Sequence, residues 1–270
     1  MPWRLAYLAS MADPDRIPGT PPLSGHDPSG ENPSDHVPSG DRRPSPAFNL
    51  HGAIVLMAGL CIGVHLMRTL VFDGQIDRWL IVNFAFFPIR YAPGYFQLDW
   101  PTLVSPFTHT LLHGDWVHLG FNMIWLVAFG APVAYRLGWA RTIALWAITA
   151  FGAVVLHTAL YFGDWVPLLG ASGAVSGFLG AAARFGFRAD RRNPRRGFAG
   201  PLLPPLASLR QRGVLAFIIV WMVINYATGA DLFGLAGGAS IAWEAHIGGL
   251  LTGFFAIGWL DRHPTARRPA

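Results

Sequence analysis

Ser172 and His246 are the residues of this chain whose types and settings could do chemistry together. Ser172 opens an apolar segment that begins Leu169-Gly170-Ala171-Ser172-Gly173-Ala174-Val175-Ser176-Gly177-Phe178-Leu179-Gly180. Ser176 follows one helical turn later on the same face, with glycines at 173, 177 and 180. His246 lies about two turns into a second apolar segment, and Gly249 and Gly253 extend its helix face beside Ala245. Small residues at three- and four-residue spacing let helices approach closely in lipid. If the two segments pack on these faces and run in the same direction, hydroxyl and imidazole come to similar depth. That pairs a nucleophile with a general base, which can take the serine proton during attack and return it to a leaving amine. Singly, each residue has a blander reading. An intramembrane serine often bonds the carbonyl one turn back, and a lone histidine can serve as a crossing bond. Either serine, 172 or 176, could be the nucleophile.

A third polar group lies upstream, where His118 and Asn122 stand at i and i+4 near the start of another apolar segment. Acyl transfer through a tetrahedral intermediate needs donors aimed at the developing oxyanion. The His118 ring N–H, the Asn122 amide and the Ser172 backbone N–H would supply three. His109 and His113 read as interfacial or helix-capping residues, and His65 and His157 as packing or interface residues. Other intramembrane chemistries fail on inventory. The only glutamates are Glu31 and Glu244, neither within a His-Glu-x-x-His motif. No aspartate lies in the interior of a predicted span, so two facing carboxylates at depth are excluded. Glu244 sits two residues before His246, on a different helix face, so a dyad rather than a triad is expected. The single cysteine, Cys61, cannot form an internal disulfide or a thiolate metal site. The residues therefore offer no such metal site.

The elements that must position these residues are helices in a bilayer. The 270 residues are 52% hydrophobic and 13% charged, a balance that points to a polytopic membrane protein. Residues 1–48 contain ten prolines and no long apolar run, so a disordered tail is expected there. Six apolar segments follow at about 50–71, 113–133, 140–162, 170–187, 213–229 and 240–260, each near the roughly 20 residues that cross a bilayer as helix. They make residues 49–261 an all-α transmembrane domain, with 262–270 as a short basic tail. The long connection 72–112 is rich in aromatics and prolines, and reads as short helices lying in the membrane interface. All twenty basic residues are arginines. They crowd the second-to-third and fourth-to-fifth connections and the C-terminal tail, which by the positive-inside rule places both termini in the cytoplasm and Ser172 near the outer side. The net charge of +5 therefore concerns topology, and no nucleic-acid motif accompanies it. Exclusive use of arginine fits a GC-rich bacterial genome and a bacterial inner membrane.

Together these motifs resemble the rhomboid family of intramembrane serine proteases. The matching pieces are Gly170-Ala171-Ser172-Gly173, Ala245-His246-x-x-Gly249-x-x-x-Gly253 and His118-x-x-x-Asn122, and the resemblance spans about residues 50–260 in the six-helix form. It implies a nucleophile at Ser172, a base at His246, oxyanion or substrate contacts at His118, Asn122 and Gly170, and no cofactor. It implies transmembrane protein substrates, cut near their outer ends in a cavity open to the outside. It also implies a lateral gate near the fifth helix and a movable cap loop, here Gly229 to Ala239. Three departures stand out. Ser176 replaces an aromatic one turn after the nucleophile, Val104-Ser105 replaces a Trp-Arg pair, and Ala134-Tyr135-Arg136 keeps only the arginine of a Glu-x-Arg motif. Two other classes remain in view. A non-proteolytic relative that binds transmembrane helices would usually lack the Ser or the His. A small transporter would more often show inverted repeats or helices broken at the midplane.

Overall fold

Helices begin where the chain supplies an acceptor for their first N–H groups. In the computed structural model, which describes residues 50–190, 197–198, 200–229 and 242–261, His51 caps α1 (Gly52–Val71) and Asp73 caps α2 (Gly74–Phe84). Asp99 caps α3 (Trp100–Thr108), and Asp115 caps α4 (Trp116–Leu137). The chain continues through α5 (Trp139–Tyr161), α6 (Ser172–Ala183), the short α7 (Pro205–Leu209), α8 (Arg212–Gly229) and α9 (Trp243–Leu260). Among the described residues no strand forms, only the isolated bridges Phe86–Leu168 and Ala189–Phe198. The tails 1–48 and 262–270, and nearly all of the glycine-rich loop after α8, lie outside the described residues, as do Arg191, Arg192, Arg195 and Arg196.

Among the described residues four helices, α1, α4, α5 and α8, are long and apolar enough to cross a membrane. Their outward side chains are large and apolar: Leu70, Val117, Phe121, Ile124, Phe151, Val155, Val220 and Val223 are all exposed. Water would not tolerate so continuous an apolar surface, whereas lipid does. Within α4 the turn Leu126–Gly130 widens to π geometry immediately before Pro132, a residue with no N–H to offer that turn.

The fourth apolar segment differs from the sequence expectation. Its helix, α6, has 12 residues rather than about 20. It does not have to face lipid. Gly173 through Ala183 are all buried, held between α5 and α9. Its approach, residues 162–171, is irregular chain whose buried end is hydrogen-bonded to protein. Leu168 exchanges both backbone hydrogen bonds with Phe86 (2.8 and 3.0 Å), and the Gly170 N–H reaches the His109 carbonyl at 2.9 Å. Non-helical backbone at membrane depth is stable only when buried in this way.

The predicted interfacial connection between the first two spans does fold as short helices, α2 and α3, with single 3-10 turns at Pro88–Tyr91 and His109–Leu111. Arg68 at the end of α1 ties it down. Its Nε donates to Asp77 Oδ1 at 2.7 Å and its Nη1 to the His113 carbonyl at 2.8 Å.

Candidate active site

The glycine faces of α6 and α9 meet, and they interlock. A methyl group on Gly173 would lie 3.4 Å from the Ala245 carbonyl oxygen, and one on Gly249 would strike the Gly173 carbonyl group, 2.7 Å from its carbon. One turn on, Gly253 abuts the Gly177 carbonyl oxygen, and a methyl on Gly180 would meet the Leu250 carbonyl and lie 2.9 Å from the Phe254 nitrogen. The pairs 173–249 and 177–253 ascend together, so the helices run parallel, as the sequence reading expects. The same register sets His246 level with Gly170 to Gly173. A methyl on Gly248 would meet the Gly152 backbone in α5 and lie 3.1 Å from Ala153 Cα, so α5, α6 and α9 form one close-packed unit.

Ser172 stands at the first position of α6, and it is the only residue of that helix that is not buried. No side chain caps the helix, so its leading N–H groups face the site together with the positive end of the helix dipole. Ser176 has a different fate. Its hydroxyl donates to the Ser172 carbonyl at 2.7 Å, the back-bond that a buried helix serine commonly makes. Of the two serines, Ser176 is buried with its hydroxyl committed to its own helix, and Ser172 is the one left partly open.

Gly170 has φ +123°, a conformation open to glycine and costly for other residues. A methyl there would lie 2.8 Å from His118 Cε1, 2.9 Å from Nε2 and 3.5 Å from Ser172 Oγ. Gly170 thus leaves the space in which the His118 ring edge comes near the serine. His118 Nδ1 accepts from the Gly114 N–H at 3.4 Å, so the ring proton belongs on Nε2 and points toward Gly170. Asn122 is buried, and one of its amide hydrogens goes to the His118 carbonyl at 2.9 Å, leaving the other for a second partner. The structure therefore brings Gly170, His118 and Ser172 together, with Asn122 one turn behind.

His246 is nearly buried, with the Trp221 ring 6.1 Å away. Its Nδ1 is hydrogen-bonded to Asn225 Oδ1 from α8. Sequence reasoning did not single out Asn225. The available signal was a lone amide within the apolar run 213–229, which membrane cost alone marks as a candidate. Glu244 does not face His246. It pairs with His157 Nδ1 at 2.8 Å, both side chains almost fully buried, while His157 Nε2 lies 3.2 Å from the Val166 carbonyl.

Two histidines expected at an interface or cap are instead buried beneath the serine loop. His109 Nδ1 donates to the Ser105 carbonyl at 3.1 Å, and the His109 carbonyl receives Gly170. His113 Nε2 accepts from the Ala171 N–H at 3.4 Å. Burial pushes His109 down to about 4 and His113 down to about 3, the latter helped by the neighbouring His118. Both are neutral at pH 7 and act as supports. His65 is also buried, 4.5 Å from the Trp116 ring, in the packing role expected of it. Arg136, the arginine kept from the Glu-x-Arg motif, finds its acid far along the chain, in a bidentate pair with Asp261 at 3.0 and 2.9 Å. Among the described residues no cluster of histidine, cysteine and carboxylate could hold a metal ion.

A profile of the family described as Rhomboid domain matches residues 101–263. Relatives include Rhomboid protease GlpG of Serratia proteamaculans (strain 568), 28% identical over 214 residues, and Rhomboid protease GlpG of Yersinia enterocolitica, 28% identical over 207 residues. The protein of that name from Yersinia pestis is 27% identical over 207 residues. Each alignment covers 76% of this chain, and the chain spans 61% of the length of these relatives.

Proposed function

The chain belongs to the rhomboid family, and from that premise we propose that it is an intramembrane serine endopeptidase acting on transmembrane protein segments. Ser172 Oγ attacks the scissile carbonyl while His246 Nε2 takes its proton. The resulting oxyanion is held by the Ser172 N–H, the His118 Nε2–H and the free amide hydrogen of Asn122, each such donor being worth about 100- to 1,000-fold in rate. Collapse of the intermediate expels the amine, which leaves with the proton from His246. Water, deprotonated by the same imidazole, then releases the acyl group from Ser172. Gly170 keeps the space between serine and oxyanion donors clear, and no metal or cofactor takes part.

The observation that carries this reading is the interlock of α6 and α9, whose register supports a placement of Ser172, the one residue of α6 that is not buried, level with His246. In this reading α1, α4, α5, α6, α8 and α9 are the six membrane helices of an integral protein of the bacterial inner membrane. Both termini face the cytoplasm, the tails 1–48 and 262–270 flank the transmembrane domain, and the site opens to the outer side near the ends of α2 and α3.

The test is labelling of the purified protein by a fluorophosphonate, alongside cleavage of a transmembrane substrate in proteoliposomes. Ser172→Ala and His246→Ala should abolish both, while Ser176→Ala retains them within about threefold, since its hydroxyl bonds only its own helix. Folded wild type that neither labels nor cleaves would favour a non-proteolytic helix-binding protein. Labelling lost only in Ser176→Ala would move the nucleophile to that serine.

A further inference from the structure

Helix α8 is the most lipid-facing helix of the bundle, with only Val214 and Ala227 buried, yet its penultimate turn carries an amide. An asparagine in such a helix is costly unless both halves of the amide find partners. Here both do. Asn225 Nδ2 donates to the Trp221 carbonyl at 2.7 Å. A carbonyl can only accept, so the nitrogen must lie on that side and the oxygen must face His246. The group opposite Oδ1 is His246 Nδ1, which must then carry the ring proton. That leaves the lone pair of Nε2 as the only basic site of the imidazole. One amide, oriented by its own helix, thus determines the tautomer of a ring on the neighbouring helix.

We infer that Asn225 is the positioning residue of the general base, holding His246 as the Nδ1–H tautomer with Nε2 turned to the serine. This rests on the proposed protease reading for its consequence in rate, though not for the tautomer itself. Among the described residues no other group in contact with the ring does the same work. Glu244, on the same helix, is committed to His157, and His118 on α4 offers its donor edge to Gly170 and Ser172. Asn225 is a neutral acceptor. It orients the ring without the charge stabilisation that a carboxylate would give the imidazolium.

The tautomer can be read directly. In 15N-histidine-labelled protein in bilayers, with the His246 signals identified by their loss in His246→Gln, the wild type should show a protonated Nδ1 and a bare Nε2. Asn225→Leu should lose that pattern, and its fluorophosphonate labelling rate should fall about 10- to 100-fold with little change in probe affinity, a part of what a general base contributes. Asn225→Asp keeps an acceptor, so it should keep the Nδ1–H signature and shift the acid limb of the rate profile to higher pH. It also covers the case in which the leucine variant does not fold. A wild-type ring protonated at Nε2 would overturn the inference. So would an unchanged tautomer and labelling rate in folded Asn225→Leu. If instead the wild type shows Nδ1–H but never labels, the protease reading fails while the tautomer assignment stands.

Discussion

The α6–α9 interlock makes a sharp prediction, because one helix carries both a packed glycine and an open one. In Gly253→Ala the new methyl would overlap the Gly177 carbonyl and lie 2.6 Å from its Cα, where ordinary contact begins at 3.4 Å. The obstacle is backbone, so rotamer changes cannot relieve it, and the helices must part by about 1 Å or more near the middle of their crossing. Displacements of about 1 Å between reacting groups cost on the order of 100-fold in rate, or about 2.7 kcal/mol of barrier. Overpacking should also take about 1–3 kcal/mol from stability. Gly258→Ala, five residues later, meets nothing within 4 Å on an exposed face, and it should be neutral or gain a few tenths of a kcal/mol from helix propensity. The assay is cleavage of one transmembrane substrate in proteoliposomes, with thermal unfolding in the same lipid or detergent. Gly253→Ala retaining more than about a third of the rate would refute the reasoning. Equal effects of the two substitutions would refute it as well, since loss would then follow from helix content and not from the crossing.

Two further predictions follow from the supports around the site. Arg136 and Asp261 form a buried bidentate pair, and Arg136 Nη1 also reaches the Phe198 and Gly200 carbonyls. Asp261→Asn should cost about 3–5 kcal/mol in thermal or denaturant unfolding, because the guanidinium stays buried without its counter-charge. An effect under 1 kcal/mol would show that the pair is solvated. The second concerns acid. His109 and His113 are held near 4 and 3, below the usual 6.5 of an exposed imidazole. The unfolded chain therefore binds more protons than the folded one between pH 6.5 and about 3, so stability is intact above 6.5 and falls as pH drops through that window. At pH 5 each imidazole costs up to about 2 kcal/mol relative to pH 7. His113→Phe should be less stable at pH 7, having lost the acceptor for Ala171, but its stability should change less between pH 7 and 5. A slope equal to wild type would mean that His113 does not titrate with unfolding.

What could be read from the sequence is what local periodicity encodes. Apolar length locates the helices to within a few residues, and glycine spacing on two segments is enough to expect a parallel crossing with Ser172 and His246 level. The rest depends on partners far apart in the chain. The apolar residues Trp165 to Leu169 differ little in composition from a helix, so only the backbone exchange with Phe86 shows α6 to be short. His109 and His113 look interfacial beside Trp116 and Asp115, because nothing local says that the serine loop covers them. Asn225 is 21 residues from His246, and Glu244 is 87 from His157. No helical spacing links residues so far apart.

Side chains satisfy the first N–H groups of α1, α2, α3 and α4, whereas α5, α6, α7 and α9 have no such cap. A missing cap typically costs about 1 kcal/mol, and each glycine within α6 costs up to about 1 kcal/mol against alanine. Neither expense helps the fold locally. Both are offset by close backbone packing against α5 and α9, which glycine alone permits, and both serve the site. In the proposed mechanism, an N-terminal side chain on α6 would occupy the N–H groups that the oxyanion requires, and a larger residue at its crossing would lift Ser172 away from His246. The least stable features of α6 are therefore the ones the chemistry needs, and its burial on all sides is what makes them tolerable.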